Sequence, residues 1–275
     1  MNSSQSLSKN GKPLRVCREQ PDQQPHRCQK AHSPQPPERL CATRERNDTD
    51  MDKIDAVIFD MDGVIVDSEP LHCQAEQTIF RQYGVEAPWS EWDSFTGLTD
   101  RVIFTYIVEN FTDGRYSVDE LLQAKYKIFL ALLADQVQPI PGAIDFIRWT
   151  RDRYAKLALT TSSTREVQQI IFERFGLQAY FDVIITEERI QHSKPHPEPY
   201  LKTLDALQLP ADTCLVIEDS LNGIRSAKEA GCRVIGLATS FPEEDLLKAG
   251  AENAVATFAA LYHQHPFNGT PPITV

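Results

Sequence analysis

Short apolar runs alternate with amphipathic stripes along most of this chain. Ile54, Ala56, Val57, Ile58 and Phe59 make a β-branched, continuously apolar segment of the kind a strand covered on both faces requires. The run stops at two acids, Asp60 and Asp62, with Gly63 behind them to let the backbone turn sharply. The period then changes. Over residues 70–83 Leu71, Ala75, Ile79 and Phe80 share one helical face, Pro70 is tolerated in the first turn and Gly84 ends the stripe. Two more helices are predicted over 99–110 and 118–133, the latter on Leu121, Leu122, Tyr126, Phe129, Leu130 and Leu133. A stretch this long with helices and no strand is a poor crossover between neighbouring parallel strands, so residues 68–138 are expected to form a small helical domain inserted into a sheet domain.

From residue 139 onward helix and strand alternate. Helices are predicted at 142–153, 164–175, 197–207 and 221–230, and strands at 156–160, 181–185, 214–217, 234–237 and 254–256. Such alternation implies right-handed crossovers and a parallel sheet. The expected fold class is α/β: a Rossmann-like parallel sheet covered by helices on both faces, formed by 51–67 and 139–275, with the α-helical domain entering after the first strand. Residues 1–50 are rich in Ser, Gln, Pro and Arg and poor in aliphatic clusters, which predicts a disordered tail. That tail is expected to be dispensable, with Met51 as a candidate natural start.

Composition narrows the partners. The 275 residues are 41% apolar and 24% charged, ordinary for a globular chain. A net charge of −11 and a pI near 5.1 argue against nucleic acid or an anionic membrane as the main partner. They leave room for a small anionic substrate, because surface charge is screened over roughly 8 Å at physiological salt. No segment approaches the ~18 apolar residues of a membrane span, and the first residues lack a secretory apolar core. None of the six cysteines forms a C-x-x-C pair, which fits a reducing compartment. A cytoplasmic monomer is the expectation.

Ligands of open α/β sheets bind beyond the carboxyl ends of the strands. Asp60 and Asp62 stand there after the first strand, two carboxylates that repel unless they share a cation. Thr160, Thr161 and Ser162 end the 156–160 strand, where hydroxyls and amides can hold oxyanion oxygens at a helix start. Lys194 follows the third strand, and Glu218 with Asp219 ends the fourth. Each has a plainer reading: a solvated strand end, a helix cap, a surface lysine, acids favouring a helix N-terminus. Together their chemistry is complementary. The acids can hold a hard divalent cation, the cation and hydroxyls can hold a phosphoryl group, and an aspartate remains to attack it.

The segments DMDGVIVDSEP, the strand-end Thr-Ser, SKPHPEPY and IEDSLNGIRSAKEAG, in this order, resemble the haloacid dehalogenase-like hydrolases over 54 to about 260. Within them the likeness is to the phosphatase and β-phosphoglucomutase group, whose helical cap is inserted just after the first strand. The resemblance implies a magnesium-dependent phosphatase acting on a small phosphorylated metabolite such as a sugar phosphate. It makes Asp60 the nucleophile, forming an aspartyl-phosphate, and Asp62 the general acid and base. It puts Mg2+ on Asp60, the main-chain carbonyl of Asp62 and Asp219 with Glu218 in support, and gives the phosphoryl oxygens to Thr161, Ser162 and Lys194. His72 resembles the hinge histidine of the mutases and Arg101 their phosphate-binding cap arginine, so both are expected to touch substrate, with Lys125 as a further cap cation. A mutase is the alternative, but Asp100 occupies the place, one before Arg101, where the mutase motif would bring its arginine, and residues 162–165 lack the mutase lysine-asparagine pair. A non-catalytic binding relative would be expected to lack one of the acids, and here all are present.

Overall fold

The computed structural model describes residues 53–86, 100–267 and 269. The expected tail and residues 87–99 of the expected helical domain lie outside the described residues. Six parallel strands form the main sheet in the order β5-β4-β1-β6-β7-β8: β1 Ala56–Phe59, β4 Lys156–Thr160, β5 Val183–Ile185, β6 Cys214–Glu218, β7 Arg233–Leu237 and β8 Asn253–Val255. β1 is central, so its carboxyl end is flanked by those of β4 and β6. Phe59 pairs in register with Leu159 and Ile217, which brings the next residues, Asp60, Thr160 and Glu218, to one level.

The two-residue period of the strands divides the core. Val57, Phe59, Leu157, Leu159, Leu215 and Ile217 point to one face, where α4 (Ala143–Arg151), α5 (Arg165–Phe175) and α9 (Phe258–Leu261) supply Phe146, Ile171, Phe172 and Phe258. Ala56, Ile58, Ala158, Val216 and Val234 point to the other, against Tyr200 and Leu204 of α6 (Glu198–Leu207), Ile224 of α7 (Leu221–Glu229) and Leu246 of α8 (Glu243–Ala249). Both faces are therefore covered, as the uninterrupted apolar strands require.

Between β1 and β4 lie α1 (Glu69–Gln82), α2 (Asp100–Phe111) and α3 (Val118–Gln136). Ile79, Phe80, Ile103, Phe104, Ile107 and Leu121 give them a small core of their own. Leu71 and Ala75 of α1 and Phe129 and Leu133 of α3 join the main core instead, so these helices stand on the sheet domain. The chain leaves and returns through a short antiparallel pair, β2 (Val66–Asp67) with β3 (Gln138–Pro139). Among the described residues no helix is long and apolar enough to cross a membrane. Cys73, Cys214 and Cys232 are free thiols.

Candidate active site

Asp60 follows the central strand and is buried, with Lys194 Nζ 2.7 Å from its Oδ1. The same ammonium donates to Glu218 Oε1 at 2.7 Å and to the carbonyl of Thr160 at 3.1 Å. The loop that delivers Lys194 is fastened at both ends. Glu198 accepts from the amides of Gln191 and His192, both at 2.9 Å, and Ser226 Oγ donates to the His196 carbonyl at 2.7 Å.

Glu218 is wholly buried and fully engaged. Its Oε1 also accepts from the Tyr200 hydroxyl at 3.0 Å, and its Oε2 accepts from Asp219 N, Ser220 N and Ser220 Oγ, each at 3.0 Å. Asp219 beside it accepts from Ser240 Oγ. Asp60, Glu218 and Asp219 can each offer a carboxylate oxygen within 4.8 Å of the others. Burial pushes the Asp60 carboxyl well above its ordinary range; Lys194 opposes this, while Glu218, Asp219 and Asp62 add to it. Burial, then Glu218, pushes Asp219 up to about 7. Burial works against the Lys194 charge, yet Asp60 and Glu218 together hold its ammonium above the usual lysine range.

Asp62 is held by two hydroxyls, Ser68 Oγ on Oδ1 and Ser163 Oγ on Oδ2, each at 2.6 Å. Thr161 is buried, and its Oγ1 accepts from Ser163 N at 2.9 Å, which leaves the hydroxyl proton free to donate. Ser162 is exposed. Asp60, Asp62, Thr161, Lys194, Glu218 and Asp219 are thus gathered at the carboxyl end of the central strands. Ser68, Ser163, Tyr200 and Ser240 were missed in the sequence reading. Three of them lie inside segments already singled out there, whereas Ser240, after β7, gives no sequence signal.

The helical layer holds a second polar cluster. Lys125 of α3, with only 2% of its side chain exposed, reaches His72 Nδ1 of α1 at 2.7 Å and Asp100 Oδ2 of α2 at 2.6 Å, and lies 3.7 Å from Glu76 Oε1. His72 stacks on Phe129 with ring centroids 3.9 Å apart. Burial, then Lys125, lowers its pKa to about 4, so the ring is neutral. Arg101, expected at the substrate, instead pairs with Asp119 at 2.8 Å and keeps 67% of its side chain exposed. The residue directed at the cluster is its neighbour Asp100.

A trio of buried acids against one lysine leaves negative charge that a divalent cation would offset, and every donor is oxygen, as Mg2+ prefers. With both Glu218 oxygens occupied by protein donors, Asp60 and Asp219 are the side chains fitted to hold it directly.

The family described as haloacid dehalogenase-like hydrolase matches residues 57–237. A phosphorylated carbohydrates phosphatase of Thermotoga maritima is 32% identical over 72% of this chain and 92% of its own length. Among solved structures, CbbY from Rhodobacter sphaeroides in complex with phosphate has a TM-score of 0.66 at 28% identity, covering 76% of this chain and 96% of that one. A Thermotoga maritima structure provisionally assigned as a β-phosphoglucomutase has a TM-score of 0.66 at 29% identity, covering 74% and 94%. The acids at the strand ends thus stand within a match spanning most of the fold, and the chain belongs to the haloacid dehalogenase-like hydrolases.

Proposed function

We propose that this chain is a magnesium-dependent phosphatase that hydrolyses a small phosphorylated carbohydrate or similar metabolite through an aspartyl-phosphate. The observation that carries the reading is the convergence of Asp60, Asp62, Lys194, Glu218 and Asp219 at the carboxyl end of the central strands. The relative that acts on phosphorylated carbohydrates supports the substrate class. Lys194 engages Asp60 Oδ1, so Oδ2 is the oxygen that attacks phosphorus. Asp62, aimed by Ser68 and Ser163, gives a proton to the departing alcohol oxygen and takes one from the water that cleaves the acyl phosphate. Thr161 and Lys194 donate to the phosphoryl oxygens, and Glu218 keeps Lys194 in place. Mg2+, held by Asp60 and Asp219, would neutralise charge on the transferring group, the main electrostatic demand of phosphoryl transfer. Residues 68–138 act as the cap that shields the site from bulk water.

Asp60→Asn keeps the shape and removes the nucleophile, so magnesium-dependent phosphate release should fall by at least about 10³-fold. Release that persists in a purified, folded variant rejects the assignment. The mutase reading draws on the β-phosphoglucomutase-like structure and on the His72–Lys125 contact. It would prevail if isomerisation of β-glucose 1-phosphate, primed with the bisphosphate, outran phosphate release.

A further inference from the structure

Among the described residues two clusters bring three metal-binding side chains within 4.8 Å of one another: the strand-end acids, and His192, His196 and Glu198 on the loop that carries Lys194. Lys194 is turned inward to Asp60 and Glu218, whereas both imidazoles are exposed. Neither imidazole takes part in the chemistry proposed above. The second cluster is held in place by the protein itself. Glu198, the first residue of α6, has its carboxylate fixed by the Gln191 and His192 amides, both at 2.9 Å, and by Lys202 Nζ, 2.9 Å from Oε1. Its Oε2 faces His192 Nδ1 at 2.8 Å. The His196 ring lies beside that of His192, with centroids 4.6 Å apart, and Pro195 and Pro197 on either side restrict its backbone. An open groove of about 720 Å³, lined by both histidines with Arg225 and Glu229, adjoins the rings and gives water access to them.

The geometry points to a second metal site on His192, His196 and Glu198, for a borderline transition cation such as Zn2+ rather than Mg2+. Donor chemistry separates the two clusters. Mg2+ takes oxygen ligands, whereas two imidazoles and a carboxylate are the donor set of open zinc sites, which keep a fourth position for water. Charge alone would not draw an ion here, with Lys202 on Glu198 and Arg225 in the groove. The nitrogen–metal bonds do, so a hard cation gains little. The existing contacts give way without loss. A cation between His192 Nδ1 and Glu198 Oε2 replaces the hydrogen shared there, and the neutral ring keeps its one proton by carrying it on Nε2. His196 Nδ1 accepts from the Glu198 amide at 3.1 Å. That amide stands in the first turn of α6, where N–H groups have no partner within the helix, and water can replace the ring as its acceptor.

The test is equilibrium dialysis of the full chain against Zn2+ at neutral pH, with Mg2+ in large excess to occupy the strand-end acids. Bound zinc is counted on the wild type, His192→Asn, His196→Asn and Asp219→Asn. Cysteines elsewhere add the same background to all four, so the differences carry the result. The wild type and Asp219→Asn should bind alike, with about one ion more than either histidine variant. The affinity of that ion should fall at least about tenfold on loss of a histidine, since losing even an outer-shell partner costs about 10–100-fold. Zinc bound equally by the wild type and the histidine variants overturns the site, as does loss of the extra ion in Asp219→Asn, which would place it among the strand-end acids. A second measurement needs no substitution: Zn2+ should protect the peptide bearing His192 and His196 from diethyl pyrocarbonate in the wild type, and equal labelling with and without Zn2+ overturns the site as well.

Discussion

A Cβ added at Gly223 would lie 1.7 Å from Glu218 Oε1, and one at Gly63, where φ is +74°, would lie 1.9 Å from Asp219 Oδ2. Both positions belong to glycine because the acids need the space. Gly223 is the cleaner test, since it sits in the first turn of α7 at an ordinary helical φ, where alanine would by propensity favour the helix by about 1 kcal/mol. Any loss in Gly223→Ala is therefore steric. The methyl displaces the carboxylate that orients Lys194 and breaks its bonds to Tyr200 and Ser220. Denaturant unfolding should show a loss of about 2–4 kcal/mol, and kcat should fall by about 10²-fold or more. A variant at least as stable as the wild type would mean that Glu218 relocates without cost.

Between elements, Lys125 of α3 draws together α1 and α2, and the groups around it titrate in opposite senses. Burial raises Glu76 to about 7, against the pull of Lys125, whereas burial and Lys125 lower His72 to about 4. From about pH 4.5 to 6.5 the folded chain holds a proton on Glu76 that the unfolded chain releases, so this group favours folding less as pH rises. Over the same window the unfolded chain protonates His72 and the folded chain does not, so that contribution grows with pH. The two slopes cancel in the wild type. Glu76→Gln removes one of them, and the variant should lose up to about 2 kcal/mol more than the wild type between pH 6.5 and 4.5; parallel pH–stability curves would contradict this. The cluster itself was not legible in the sequence, because it joins side chains from three helices, whereas the helices were. Stripes of apolar residues marked α1 to α7 to within a few residues; Thr164, the first residue of the expected 164–175 helix, is the cap of α5 and accepts from Val167 N. The paired strands β2 and β3 were missed because two residues carry no period, and α8 and α9 because each is too short to build a stripe. The strand-end residues were legible because parallel topology alone brings them together; Ser240 was not, since one hydroxyl in a loop looks like any other.

At the scale of the whole molecule, a chain of net charge −11 packs Asp60, Glu218 and Asp219 into one buried spot with Asp62 close by and, among the described residues, a single lysine in contact. Buried like charges cost stability, and a cation that binds only the folded chain recovers it by mass action, about 2.7 kcal/mol at a hundredfold excess over Kd. For a domain of this size Mg2+ should then raise Tm by about 5–10 °C. KCl at matched ionic strength should raise it much less, because screening acts on exposed charges and leaves buried ones largely unscreened. Asp219→Asn separates the two contributions. The amide oxygen can still accept from Ser240, and one buried charge is gone, so the metal-free variant should melt above the metal-free wild type. Having lost a ligand, it should also lose most of the Mg2+ shift. A shift that survives intact would place the cation elsewhere, and a metal-free variant that melts below the wild type would mean that the Asp219 charge is already balanced by the protein, leaving no electrostatic reason for a cation between these acids.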